Sequence, residues 1–240
     1  DTNFAVVDSA MINFDTGGPI ADNIAGLTFA EQEGSFLVGA AAALKTGVDK
    51  IGFIGGVCCY GGIEPFEAGY IAGAKAVNPN IEILSQYVTD APDFDGFNAP
   101  DRGKEIALAM FEDGADIVYH AAGGTGAGLF QAALEHSESE GSKVWAIGVD
   151  YDQYNVVDDA LKPHVLSSML KEVGSGIYLA VQSHITDSWS AGQVTYSLAN
   201  GGVGYATSGG YVDDIVSQLE AFKSQIENGD IVVSRNPLDY

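Results

Sequence analysis

The sequence predicts an α/β fold in which parallel sheets are flanked by helices. Three observations carry that expectation. Short apolar strands alternate with helix-period segments along most of the chain. One strand, Ile117-Val118-Tyr119-His120-Ala121, runs straight into the glycine-rich turn Gly123-Gly124-Thr125-Gly126-Ala127-Gly128 and then into a helix pattern. The chain has 240 residues, 46% of them hydrophobic, which is enough for one large or two small cores.

In order along the chain, residues 4–8 and 24–29 read as short strands. Residues 34–44 (Gly-Ser-Phe-Leu-Val-Gly-Ala-Ala-Ala-Ala-Leu) read as a tightly packed helix whose small side chains permit close approach. Residues 50–57 form a strand. Residues 65–76 form a helix with Phe66, Tyr70 and Ala74 at helical spacing. A strand follows at 81–88, then a helix at 102–112 with Ile106, Leu108, Ala109 and Met110 on its apolar side. The strand 117–121, the helix 129–136 and the strand 144–149 complete a four-strand Rossmann-like unit from Lys50 to Asp150, with right-handed crossovers. Beyond it come a strand at 165–170, a helix at 176–190, a strand at 194–198 and a last helix at 211–227, with Val212, Ile215, Leu219 and Phe222 at core spacing. The acidic, turn-rich loop 89–101 follows a strand end and reads as a solvated surface loop near the sheet edge.

Charge restricts the partners. Ten Lys plus Arg face 33 Asp plus Glu, a formal net charge of −23. Phosphate backbones and anionic membranes need a basic face, so no nucleic-acid partner is expected. Such a load repels itself unless salt screens it. It fits a protein of molar-salt surroundings, and also an ordinary acidic extracytoplasmic protein. No run of about 18 apolar residues occurs. No signal peptide precedes the first strand pattern, which a mature or trimmed chain would also show.

The two cysteines, Cys58 and Cys59, are adjacent at a strand end. Neighbouring cysteines bridge only with strain, so no disulfide framework is expected. The four histidines show no metal-ligand spacing, and neither metal nor cofactor is expected.

The glycine-rich joint places bare N–H groups and a helix N-terminus at the carboxyl edge of a sheet, where open α/β folds bind polar ligands. Its spacing fits neither the dinucleotide fingerprint nor the Walker pattern, and no nucleophile–base pair is visible, so an enzyme is not expected.

Six motifs occur in order: Glu31-Gln32-Glu33-Gly34-Ser35-Phe36-Leu37-Val38-Gly39, Phe66-Glu67-Ala68-Gly69-Tyr70, Tyr119-His120-Ala121-Ala122-Gly123-Gly124-Thr125-Gly126, Ile147-Gly148-Val149-Asp150-Tyr151-Asp152-Gln153, Ser168-Met169-Leu170-Lys171 and Gly201-Gly202-Val203-Gly204-Tyr205. Together they resemble the basic membrane protein family of ABC-transporter substrate-binding lipoproteins, of the purine-nucleoside-receptor type. The resemblance runs from Phe4 to about Ile231.

The resemblance implies a type I periplasmic-binding-protein fold, two α/β lobes joined by three crossings and closing on a nucleoside. It implies that Tyr119 stacks on the base, with a hydroxyl where the family usually has Phe, and that Asp150 receives the ribose hydroxyls. It implies that Lys171 completes the polar set near the hinge and that backbone approaches the ligand at Gly124. Glu31 and Glu33 are further candidates, although carboxylates at a helix start also simply favour its dipole. A strand-end Asp suits a cis-diol because charge-assisted hydrogen bonds are strong.

Family members carry further strand–helix units ahead of the segment matching 4–8, so the N-terminal part of the first lobe is expected to be absent here. On that reading residues 1–29 and 165–200 belong to an incomplete first lobe with the hinge crossings. Residues 30–164 form a complete second lobe, and 201–240 are a C-terminal strand–helix segment of either lobe. The implied partners are a nucleoside and an ABC permease with its ATPase. The implied location is extracytoplasmic, with membrane association only through a lipid anchor upstream of Asp1. Two alternatives stay open: a ligand-sensing or structural protein that kept the fold, and a nucleotide-using enzyme.

Overall fold

A computed structural model describes residues 2–240. Among the described residues, nine strands form two sheets. The smaller contains β1 (Phe4–Val7), β2 (Ile24–Phe29) and β8 (Gly192–Tyr196), all parallel, in the order β1-β2-β8. The larger contains β3 (Lys50–Cys58), β4 (Glu82–Asp90), β5 (Ile117–Ala121), β6 (Trp145–Gly148), β7 (Val165–Lys171) and β9 (Val203–Tyr205), in the order β4-β3-β5-β6-β7-β9. Its first five strands are parallel and β9 runs antiparallel to β7.

The larger sheet is covered on both faces, as parallel sheets require. On one face lie α1 (Glu31–Lys45) and α2 (Glu64–Val77); on the other lie α3 (Pro100–Glu112) and α4 (Gly126–Glu140). Small residues set the spacing of both helix pairs. A Cβ on Gly39 would strike the carbonyl of Tyr70, and one on Gly73 would strike that of Phe36. Across the sheet, a Cβ on Gly128 would strike the carbonyl of Pro100. The glycines of the 123–128 turn therefore serve helix packing as well as backbone approach. Gly126 lies directly against the His120 ring, and Gly123 adopts φ +54°.

The smaller sheet carries α5 (Val173–Ile185). Ile177, Tyr178, Leu179, Val181 and Ile185 of this helix are exposed, and Gly176 and Ala180 are buried. The last helix, α6 (Val216–Glu227), packs on α1 through Phe222, whose ring meets Phe36 edge-on at 5.5 Å. With β9, it places the C-terminal segment on the larger sheet.

The chain crosses between sheets after β2, after β7 and after β8. The expected grouping of 165–200 as one piece of the first lobe is corrected here. Backbone pairing puts β7 in the larger sheet beside β6, and only α5 and β8 go with the smaller one. The strand expected within 201–240 carried no bounds; it is β9. Its three residues lie in a glycine-rich stretch and gain strand character only by pairing with Met169, Leu170 and Lys171. The 89–101 loop is exposed along most of its length and lies at the sheet edge, as expected. Residues 94–97 form a 3₁₀ turn folded onto the sheet edge, where Thr125 Oγ1 donates to the Gly96 carbonyl at 2.6 Å.

Candidate ligand-binding site

A crevice of about 520 Å³ opens at the carboxyl ends of the strands, where the two sheets meet. That is the edge at which α/β folds bind ligands, and the volume suits a small organic molecule. Three left-handed non-glycine residues mark it. Asp8 (φ +60°) and Asp150 (φ +67°) line it, and Cys59 (φ +71°) stands at its rim beside Tyr60. Such conformations persist where surroundings over-determine them, often at functional sites.

Charged groups from distant parts of the chain converge there. Lys171 ends β7, and only 8% of its side chain is exposed. Its Nζ lies 2.6 Å from Asp8 Oδ1 and 3.5 Å from Glu31 Oε1. The same ammonium sits 5.1 Å from the centre of the Phe29 ring, within cation–π range. Glu31, buried at the start of α1, also receives Arg235, whose Nη2 donates to Oε2 at 3.1 Å. Arg235 Nη1 donates to the Phe29 carbonyl and to Gln32 Oε1, tying the C-terminal tail to the first crossing. Asp150 follows β6, and its carbonyl accepts from the Lys171 N–H at 2.9 Å. Desolvation among the surrounding protein raises the Asp150 carboxyl above the usual carboxylate range; Lys171 opposes the shift and Asp8 adds to it.

The apolar walls come from Phe29, Phe66, Phe97 and Tyr60, with Tyr151 at the opening. Tyr60 meets Phe94 edge-on at 5.3 Å, and Phe94 stacks on Phe97 at 6.4 Å. The crevice thus joins an aromatic wall to three carboxylates (Asp8, Glu31, Asp150) and two cations (Lys171, Arg235). It can accept hydroxyl donors and shelter a flat ring. With carboxylates in excess, it disfavours an anion.

Residues 1–237 match Bmp, the family of PnrA-like ABC transporter substrate-binding proteins. The chain belongs to the Bmp family. It is 38% identical over 247 residues to the ABC transporter nucleoside-binding protein BmpA of Lactococcus lactis, covering 97% of this chain and 64% of that protein. It is 36% identical over 242 residues to a CD4+ T-cell-stimulating antigen of Listeria monocytogenes, covering 98% of this chain and 64% of that one. It therefore spans a little under two thirds of the length of these relatives. An ABC transporter solute-binding protein from Aeropyrum pernix superposes with a TM-score of 0.75 at 22% identity, covering 98% of this chain and 71% of the other. That likeness shows the shared fold. Bmp is a family of substrate-binding proteins, not of enzymes.

The Bmp-derived expectations divide on this geometry. Asp150, Lys171 and Glu31 are brought together around the crevice. Glu33 is not. It points away, its Oε2 accepting the Leu198 N–H at 2.9 Å, and burial raises its carboxyl while that bond opposes the shift. Gly124 does not line the crevice; Gly123 does. Tyr119 is fully buried between Phe53 and Tyr70, its hydroxyl 3.1 Å from Ser35 Oγ, so its ring has no free face for a ligand. Two residues later in the strand, Ala121 reaches the crevice. Asp8, Phe97, Tyr60 and Arg235 were missed by the sequence reading. Phe97 carried a usable signal, an aromatic after Gly96 in a loop leaving a strand's carboxyl end.

His120, next to Tyr119, faces the opposite layer. Its Nε2 lies 2.9 Å from Gln153 Oε1, which also accepts the Val149 N–H at 2.8 Å. An oxygen already accepting leaves His120 to donate at Nε2. Burial holds this imidazole down to about 4, so it is neutral near pH 7. The adjacent cysteines are joined to each other in a disulfide, with Cys59 in a left-handed conformation.

Proposed function

We propose that this chain is the ligand-capturing part of an extracytoplasmic ABC importer receptor, and that its ligand is a nucleoside. The observation that carries the reading is the meeting of Asp8, Glu31 and Asp150 around Lys171, beside an aromatic wall. Asp150 accepts the ribose diol, and Lys171 pairs with Asp8 and Glu31 and orients the cluster. Phe97 and Tyr60 present ring faces to the base, the part assigned from sequence to Tyr119. The excess of carboxylates favours a neutral nucleoside over a nucleotide. The name of the Lactococcus lactis relative supports the same ligand class. A permease and ATPase are the partners this role requires. The exposed apolar face of α5 is where the additional units of the longer relatives would pack.

The test is calorimetric titration of the chain with a purine nucleoside, its 2′-deoxy form, the free base and the nucleoside monophosphate. The expected order is nucleoside, then deoxynucleoside, then base, with the monophosphate weakest. Asp150→Ala should weaken the nucleoside about tenfold to a hundredfold and leave the base nearly unchanged, as loss of a charge-assisted bond implies. Equal losses for nucleoside and base would remove Asp150 from the ribose.

A further inference from the structure

Cys58, Cys59 and Asp90 form a cluster that ligand capture does not use. Cys58 ends β3 and is in register with Asp90, which ends the neighbouring strand β4. The two sulfurs and an Asp90 carboxylate oxygen all lie within 4.8 Å of one another. Cys59 and Asp90 are exposed and Cys58 is half-buried, so reagents and ions can reach the group. The surrounding backbone is anchored independently of the sulfur bridge. Both Cys59 N–H and Ile63 N–H donate to the Glu64 carboxylate, and the Ala91 N–H donates to the Cys58 carbonyl. Opening the bridge would therefore free two thiols on a held frame.

We propose that Cys58, Cys59 and Asp90 are a redox-gated site for a thiophilic divalent cation of the zinc and cadmium class. An external dithiol reduces the disulfide, giving two cysteine thiols and the oxidised cyclic form of the reagent. Each thiol then loses a proton as its thiolate binds the cation, and Asp90 supplies a third, oxygen ligand. Two thiolates and one carboxylate with a remaining open position is a donor set such ions accept. The net charge of −23 raises the cation concentration near the surface. The oxidised bridge offers no thiolate, so disulfide and cation exclude each other. Tyr60 follows Cys59 directly and lines the crevice, which places the site at the rim of the ligand pocket.

The test uses the full chain, reduced with a dithiol and desalted under nitrogen, in sodium sulfate to screen surface carboxylates. Cd²⁺ is titrated against a competing chelator while the ultraviolet thiolate-to-cadmium band is followed. The expected result is one equivalent bound with the intensity of two thiolates per ion. Reoxidation should abolish the band and the high-affinity step, and Asp90→Asn should weaken binding at least about tenfold. Cys58→Ser should abolish the two-thiolate band. The proposal is overturned if each thiol takes its own ion. It is equally overturned if oxidised and reduced chains compete alike with the chelator, or if Asp90→Asn leaves the affinity unchanged. The last two comparisons keep both cysteines and do not depend on whether a cysteine variant folds.

Discussion

Lys171 Nζ lies 2.6 Å from Asp8 Oδ1, and this ion pair joins the last residue of β7 to the residue that follows β1. One partner belongs to the larger sheet and the other borders the smaller, so the pair spans the floor of the crevice. Its ammonium is almost fully enclosed, whereas Asp8 is 55% exposed.

Replacing the ammonium tests that role. Lys171→Met keeps the stem's packing on Phe29 but leaves Glu31 with Arg235 as its remaining cation. The unfolding free energy should fall by about 1–3 kcal/mol, the range for a charge-assisted bond discounted for the exposure of Asp8. Urea denaturation at fixed salt measures it. No loss would mean the pair is solvated in the folded chain.

Phe97 and Tyr119 should separate binding from folding. Phe97→Ala should weaken nucleoside binding about tenfold, with a smaller stability cost than a fully buried ring. Tyr119→Ala should cost about 3–5 kcal/mol of stability. Tyr119→Phe should cost about 0.5–1.5 kcal/mol through the lost bond to Ser35, with binding unchanged. Paired calorimetry and denaturation on the three variants decide it; a tenfold binding loss in Tyr119→Phe would return that residue to the site.

His120 makes stability depend on pH. Its folded value of about 4 lies below the ordinary 6.5, so the unfolded chain binds more protons between those values. The contribution is complete above pH 6.5 and is lost as pH falls toward 4, about 3 kcal/mol in all. The raised carboxyls of Asp150 and Glu33 act in the opposite direction, so the measurement is a difference. Denaturation curves of wild type and His120→Asn should converge as pH drops through this window. Parallel curves would show that His120 takes up its proton at the same pH in the folded and the unfolded chain.

Thirty-three acidic residues against ten basic ones should make stability rise with salt. Thermal unfolding should shift steadily upward from millimolar toward molar NaCl. A flat or falling profile would place the stabilising charges in close pairs rather than in diffuse repulsion.

Periodicity made most elements of the larger sheet legible, because a helix such as α3 shows one apolar face. The same signal fails within β5, where all five residues are buried. A strand covered on both faces has no polar alternation to show which side chain emerges at the edge, and Tyr119 was misplaced for that reason. As residues lining the crevice, Asp150 and Lys171 were legible through their motifs. Asp8 and Arg235 were not, since each acquires its place from a residue far away in sequence, Lys171 for one and Glu31 for the other. The left-handed turn at Cys59, beside the Cys58–Cys59 bridge, is not announced by sequence alone.

The pairing of β2 with β8 sets Ala25 beside Gly192 and Phe29 beside Tyr196. During synthesis, β2 therefore waits with a bare edge while nearly every strand of the larger sheet emerges and can pair. Only when residues 192–196 leave the ribosome or the translocation channel can the smaller sheet close. A chain interrupted before Gly192 would carry a nearly complete larger sheet alongside an unpaired apolar strand, a template for pairing with a second chain. Premature termination shortly before Gly192 should therefore yield self-associating products rather than inert fragments.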